Sequence, residues 1–180
     1  PDPEVTPHVL DVLAKYGARA TFFMIGRHLA QSRAIAERAV EEGHEIGNHS
    51  WQHAYLPNLF STRAQLADIE RVEQLIRSLT KSDAPIPYRP PVGLKSPELA
   101  RAVHVCRLKV IAWSVHSRDT IDSDPQRIAR RVLARVRPGD IVLMHDGHQN
   151  AATHRRAGAQ AVSFILEGLR ARELQAVTVQ

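Results

Sequence analysis

One cysteine, Cys106, stands in 180 residues, so the chain can form no internal disulfide and no cysteine-based zinc site. Its apolar surroundings suit a buried structural thiol. Long apolar runs are missing too. Nothing approaches the roughly 18 consecutive apolar residues of a membrane-spanning helix, and 24% of the residues are charged. No integral membrane segment is therefore expected. No linker, low-complexity tract or short repeat interrupts the chain. With 43% of residues hydrophobic, a single compact domain over 1–180 can bury a core.

What is present begins with charge. A net charge of +5 and a pI near 9.9 favour an acidic partner, such as nucleic acid or an anionic cell-wall polymer. Acidic and basic residues alternate along helical stretches, as in Arg33, Glu37, Arg38, Glu41 and Glu42, which is the pattern of a solvated helix surface. With no nucleic-acid-binding motif, no nucleic-acid partner is expected. The composition fits either the cytosol or a bacterial envelope.

Val5, Val9, Val12, Leu13 and Tyr16 recur at helical spacing, opened by Thr6-Pro7 and closed by Gly17. A β-rich run from Ala20 to Ile25, a helix from about Leu29 to Glu42 and a strand from His44 to Asn48 come next. Leu66, Ile69, Val72, Ile76 and Leu79 mark a long helix from about Ser61, and a proline-rich break precedes a strand near Tyr88. Ser96-Pro97 and Asp124-Pro125 each pair a capping residue with a proline at the first helical position. The apolar runs Leu108 to Val115 and Asp140 to His145 read as strands, a last helix spans about Gly158 to Arg172, and Gln175 to Val179 is the final strand. Alternation of strand and helix through short connections is the pattern of a parallel sheet or barrel with helices outside, and such folds gather their active sites at the C-terminal strand ends.

Polar residues at those ends are the candidates. His49 and His53 lie in GNHSWQH, where an i, i+4 pair can put two imidazoles on one face of a helical turn, although surface or packing histidines share that spacing. In YRPPVG two prolines stiffen the chain beside Arg89 and leave the Val92 N–H available to an oxyanion; an ordinary proline-rich loop looks the same. Trp113 and Asp119 in WSVHSRD place an indole and a carboxylate near one strand exit, or serve as a core tryptophan and a helix cap. Leu143 and His145 in IVLMHDGH share one side of the next strand by alternation, a position a structural histidine can also hold.

HSWQH, RPPVG, Trp113-x5-Asp119 and Leu143-x-His145 occur in this order, each at a strand end, and the set resembles carbohydrate esterase family 4, the polysaccharide deacetylases with a NodB-homology domain. YGARATFFMIG, GHEIGNHSWQH, WSVHSRDT, PGDIVLMHDGH and LRARELQAVTV carry the resemblance over the whole chain. It implies an α/β fold, a distorted (β/α) barrel with fewer than eight strands, and a divalent metal, usually zinc. By the same resemblance His49 and His53 match its histidine ligands. Arg89 matches the arginine that orients the catalytic base, and Asp119 the carboxylate paired with the acid histidine. His145 matches the general acid, Trp113 and Leu143 the apolar walls of the acetyl pocket, and Val92 lies where an aromatic residue is common.

The family's Thr-Phe-Asp-Asp-Gly run, which ends the first strand and supplies the base and a third metal ligand, does not occur in residues 1–180, and Pro1-Asp2-Pro3 resembles the stretch directly after that run. The resemblance thus implies that the first strand is missing and that residues 1–180 alone are inactive; Asp2 takes neither role. His116 stands where an acidic residue is common and Thr120 where tryptophan is common. His8, His28, His44, His104, His116, His148 and His154 read as surface or packing residues, the pair His148 and His154 as rim contacts. The expected activity is metal-dependent removal of N-acetyl groups from an N-acetylglucosamine-containing polymer, peptidoglycan or chitin-like, in the cell envelope. From a different class, a noncatalytic carbohydrate-binding relic of the fold would keep the same motifs, and Asp-Asp encoded directly before Pro1 separates the two.

Overall fold

The structure, a computed structural model, describes residues 1–54, 61–93, 96–147 and 152–179, with the backbone alone for 152–155. It divides into two compact units, one comprising Pro1–Ala20 with Trp113–Gln180 and the other Thr21–Ala112. The architecture is α/β, and every strand pair among the described residues is parallel.

The first unit opens with α1 (Thr6–Lys15), which buries Val9, Leu10 and Leu13 along one stripe as its spacing predicts. The second unit then runs β1 (Thr21–Met24), α2 (Gly26–Gln31), α3 (Arg33–Glu41), β2 (Glu45–Asn48), α4 (Thr62–Thr80), β3 (Pro87–Tyr88), α5 (Pro97–Val105) and β4 (Lys109–Val110). Its four strands pair in the order β1-β2-β3-β4, with Phe22 opposite Ile46 and Asn48 opposite Tyr88. Helix α4 starts at the cap Ser61, whose Oγ accepts the Ala64 N–H, and it lays Ile69, Val72, Ile76 and Leu79 into the interior. Ile69, Tyr88, Leu99 and Ala102 form one buried cluster, each large side chain contributing about 1.5–3 kcal/mol by leaving water.

Three sequence expectations change here. The helix expected over 29–42 is two helices, because Ser32 adopts φ −123°, ψ 44° and cannot continue α2. The run 108–115 is likewise not one strand. It stops after Val110 and resumes at Val115, because the carbonyls of Ile111 and Ala112 accept from the Arg89 guanidinium (Nε at 3.1 Å and Nη2 at 3.0 Å). Cys106 is half-buried against the rim of the Ile69 cluster rather than enclosed.

The first unit resumes with β5 (Val115–His116), α6 (Pro125–Leu133), β6 (Val142–Leu143) and α7 (Ala152–Arg170). Strands β5 and β6 are parallel, with His116 opposite Leu143. Asp124 caps α6 by accepting from the Gln126 and Arg127 amides, and α7 packs against both α6 and α1. Helix α7 starts earlier than the sequence pattern suggests. Among the described residues 175–179 form no strand: the chain leaves α7 through Glu173 at φ +57°, and the Ala176 carbonyl accepts from the Arg19 amide. Among the described residues, no helix is long and apolar enough to cross a membrane.

Gly47 in β2 marks the tightest approach in the second unit. A Cβ there would lie 2.6 Å from the Phe23 ring and 3.0 Å from the Pro87 carbonyl oxygen. Because backbone cannot yield as a side-chain tip can, Gly47→Ala is expected to cost about 1–3 kcal/mol. Urea unfolding of the two proteins checks this, and an unchanged midpoint would contradict the packing described.

Candidate functional site

In the second unit the residues that matter lie just past β2 and β3. The HSWQH segment is not the helical turn that its i, i+4 spacing suggests. Ser50 and His53 both take left-handed backbone conformations, φ +64° and +54°, and the chain bends between them. Such conformations are costly for residues with a Cβ and need support. Asn48 Oδ1 accepts the Ser50 amide at 2.9 Å, Ser50 Oγ accepts the His53 amide at 3.0 Å, and Asp68 Oδ2 accepts the Trp51 amide at 2.9 Å. The Ser50 and Trp51 carbonyls accept from the Gly26 and Arg27 amides that open α2. Burial raises the Asp68 pKa, partly offset by its bond to the Trp51 amide and by Arg71, whose guanidinium lies 3.4 Å from the Trp51 ring centroid.

This bend sets the His49 and His53 rings edge to face, 4.9 Å between centroids. His49 Nδ1 lies 2.6 Å from the Arg89 carbonyl oxygen. A carbonyl can only accept, so Nδ1 carries the proton and the lone pair sits on Nε2, the form in which imidazole ligates a metal. Arg89 is buried, stacked 4.0 Å from the Phe23 ring centroid, and its pKa is lowered by burial to about 10, leaving it charged at neutral pH. Val92 occupies the short 3₁₀ turn Pro91–Gly93 at φ +57°, with its side chain exposed. Among the described residues no group of three or more His, Cys, Asp or Glu side chains is arranged to hold a metal. Two neutral imidazoles suit zinc as two donors of a larger set, and that is how far the residues present fit the ion.

In the first unit the candidates lie just past β5 and β6. Asp119 is 2% exposed and grips His145 twice: Oδ2 accepts the His145 amide at 2.7 Å and Oδ1 lies 2.9 Å from Nδ1. Ser117 Oγ donates to the same Oδ1 at 2.8 Å. Burial pushes the Asp119 pKa up, but the bonds and charge from His145, with the Ser117 bond, outweigh it and the net shift is downward. An ionised Asp119 only accepts, so His145 Nδ1 donates and Nε2 faces away from the carboxylate. Gly158 permits this fit, since a Cβ there would stand 3.1 Å from Asp119 Oδ2.

Leu143 is buried on β6, whereas Trp113 lies in the break before β5 rather than at a strand end. Its ring meets His116 edge-on at 6.0 Å, and His116 in turn lies 6.4 Å from His145. By sequence His116 reads as a packing residue; its place opposite Leu143 in the parallel pair, visible only once the register is known, puts it beside His145. Asn48, Ser50, Asp68 and Ser117 likewise carry no signal in the sequence, being ordinary polar residues whose roles depend on partners far along the chain or on local backbone bonds. Thr6 is fully buried and donates to Asp146 Oδ2 at 2.6 Å while accepting from the Asp2 amide at 2.7 Å. Asp2 Oδ1 accepts from the Glu4 and Val5 amides, just before α1. His148 and the His154 side chain lie outside the described residues.

Comparison with known proteins gives a consistent result. The profile of the polysaccharide deacetylase family matches residues 1–111. A chitooligosaccharide deacetylase of a Bradyrhizobium species is 34% identical over 183 residues, covering 96% of this chain and 81% of the relative. A peptidoglycan-N-acetylglucosamine deacetylase of Bacillus cereus is 33% identical over 181 residues, covering 99% and 82%. The solved structure of the peptidoglycan deacetylase PdaC from Bacillus subtilis superposes with a TM-score of 0.87 at 31% identity, covering 99% of this chain and 83% of that one.

The Asp119–His145 pair makes stability depend on acid. Asp119 has a folded pKa below its unfolded value, so its stabilisation is complete above the ordinary carboxylate range near ~3.9 and is lost as pH falls through the lowered folded value. Asp119→Asn is expected to cost about 1–3 kcal/mol at neutral pH and to narrow its deficit against the parent chain in acid. Denaturant titrations across that range test this; a deficit that stays constant with pH would mean Asp119 is not the ionised partner.

Proposed function

The chain belongs to the polysaccharide deacetylase family, and from that premise we propose that it removes N-acetyl groups from an N-acetylglucosamine-containing polysaccharide, releasing acetate and leaving a free amine. The relatives named above act on peptidoglycan and on chitooligosaccharides, and both polymers fall within the proposal. The observation that carries it is the His49–His53 pair, with His49 Nδ1 committed to a carbonyl and Nε2 left as the ligating atom.

In this reading His49 and His53 hold a divalent metal, zinc by the nature of the donors. When bound, such an ion supplies Lewis-acid polarisation of the amide carbonyl and makes water a stronger acid. His145 protonates the departing nitrogen from Nε2, a task an amide imposes because an unprotonated amine leaves poorly. Asp119 supports it by holding Nδ1–H and by stabilising the imidazolium. Arg89, pinned by two carbonyls and by the Phe23 ring, is rigid enough to orient a carboxylate base. The Val92 N–H assists the oxyanion, and Leu143 and Trp113 form apolar walls for the acetyl methyl group. In the family the base and a third ligand come from an Asp-Asp run that residues 1–180 do not contain.

The test is acetate release from N-acetylglucosamine oligomers with zinc present, using residues 1–180 joined to a strand ending in Asp-Asp. His49→Ala and His53→Ala are each expected to lose metal and activity together. His145→Ala is expected to keep its metal and lose on the order of 10²-fold or more in turnover. Loss of metal in the His145 variant would make it a ligand instead, and oligomer binding without acetate release would favour a carbohydrate-binding role.

A further inference from the structure

The basic character noted in the sequence is not spread evenly over the arginines of the first unit. Arg127 and Arg131 on α6 share the one carboxylate of the buried Asp122, each at 2.6 Å. Arg135 and Arg137, just beyond α6, and Arg172, just beyond α7, are exposed and form no ion pair with a carboxylate among the described residues. These three line one open groove of about 630 Å³, together with Ser114 and Asp140. Arg172 is held in place because Nη1 donates to the Leu133 carbonyl. Asp140, which accepts from the Ser114 hydroxyl and the Arg137 amide at 2.7 Å each, offsets one of the three charges and interacts with Arg137, so the groove stays net positive. Ser114 and Asp140 precede β5 and β6 whereas Asp119 and His145 come after them, so the groove lies at the opposite end of that parallel pair from the His145 pair.

We propose that this groove is a second polysaccharide-binding surface, which holds an anionic, carboxylate-bearing glycan through Arg135, Arg137 and Arg172. An isolated small anion fits poorly: three solvent-exposed guanidinium groups each gain little from a single charge, and only a polymer that repeats its charges can engage them together. Among the described residues no aromatic side chain lines the groove, so it offers no face on which single-stranded bases could stack. Guanidinium groups bind carboxylates in two-pronged fashion, which suits acidic sugars and the carboxylates of peptide side branches. The identity of the polymer rests on the deacetylase reading; within it, the groove favours a peptidoglycan-type substrate, which carries carboxylates, over neutral chitin.

Binding to residues 1–180 without turnover tests this, by NMR titration with a galacturonic acid oligomer, a chitin oligomer of equal length and a single-stranded oligonucleotide of equal charge. The galacturonate is expected to shift resonances of the groove, to bind more weakly as salt rises, and to lose on the order of tenfold in affinity in Arg135→Ser/Arg137→Ser. Arg135→Lys/Arg137→Lys should retain most of the binding, and Arg63→Ser/Arg101→Ser in the second unit should retain all of it. Equal affinity in the double serine variant, equal loss in the lysine variant, or tighter binding of the oligonucleotide would each overturn the proposal. Neither acetate nor metal enters the measurement, so its failure leaves the deacetylase reading standing, and a failure to release acetate leaves the groove standing.

Discussion

The 2.6 Å contact between His49 Nδ1 and the Arg89 carbonyl is the constraint on which the arrangement of the second unit's candidate site depends. A carbonyl oxygen admits only one partner at that distance, an N–H, and so decides which imidazole nitrogen keeps its lone pair. Arg89 can act this way because it is itself fixed from three sides. Its amide donates to the Asn48 carbonyl, its guanidinium donates to Ile111 and Ala112, and its plane stacks on Phe23. The same two carbonyls that anchor Arg89 are withdrawn from the sheet, which ends β4 early. Local loss of strand pairing and the placement of His49 are therefore two results of one set of bonds.

The first unit solves a parallel problem with the opposite charge. Asp119 commits both oxygens to His145 and takes a third bond from Ser117, so that one buried carboxylate fixes the ring, the backbone and the tautomer of the residue after β6. In both units a side chain capable of chemistry is oriented by a neighbour that cannot itself transfer a proton in that position. Burial sharpens each arrangement, because a misplaced polar atom there would go without compensation.

Much of this is legible in the sequence. Caps such as Ser61, Ser96 and Asp124 announce helix starts through local chemistry, and the apolar stripe of α4 comes from its period alone. The four motifs give the candidate site residues in order, and the family to which they point is the one the chain belongs to. What the sequence withholds depends on contacts between distant residues. The HSWQH bend is a helical turn by spacing; it becomes a left-handed bend only through Asn48, Ser50 and Asp68. The interruption between β4 and β5 is invisible without the reach of Arg89 across more than twenty positions. His116 looks like any surface histidine until strand pairing sets it beside His145.

On the function proposed above, His49 and His53, oriented as described, hold a divalent metal. Crystals soaked in zinc and measured at the zinc absorption edge test it most directly. An anomalous peak is expected within coordination distance of His49 Nε2 and the His53 ring, absent when either histidine is alanine. Zinc bound instead at other histidines, such as the exposed His8 or His104, or a His49 ring turned so that Nδ1 meets the metal, would contradict it.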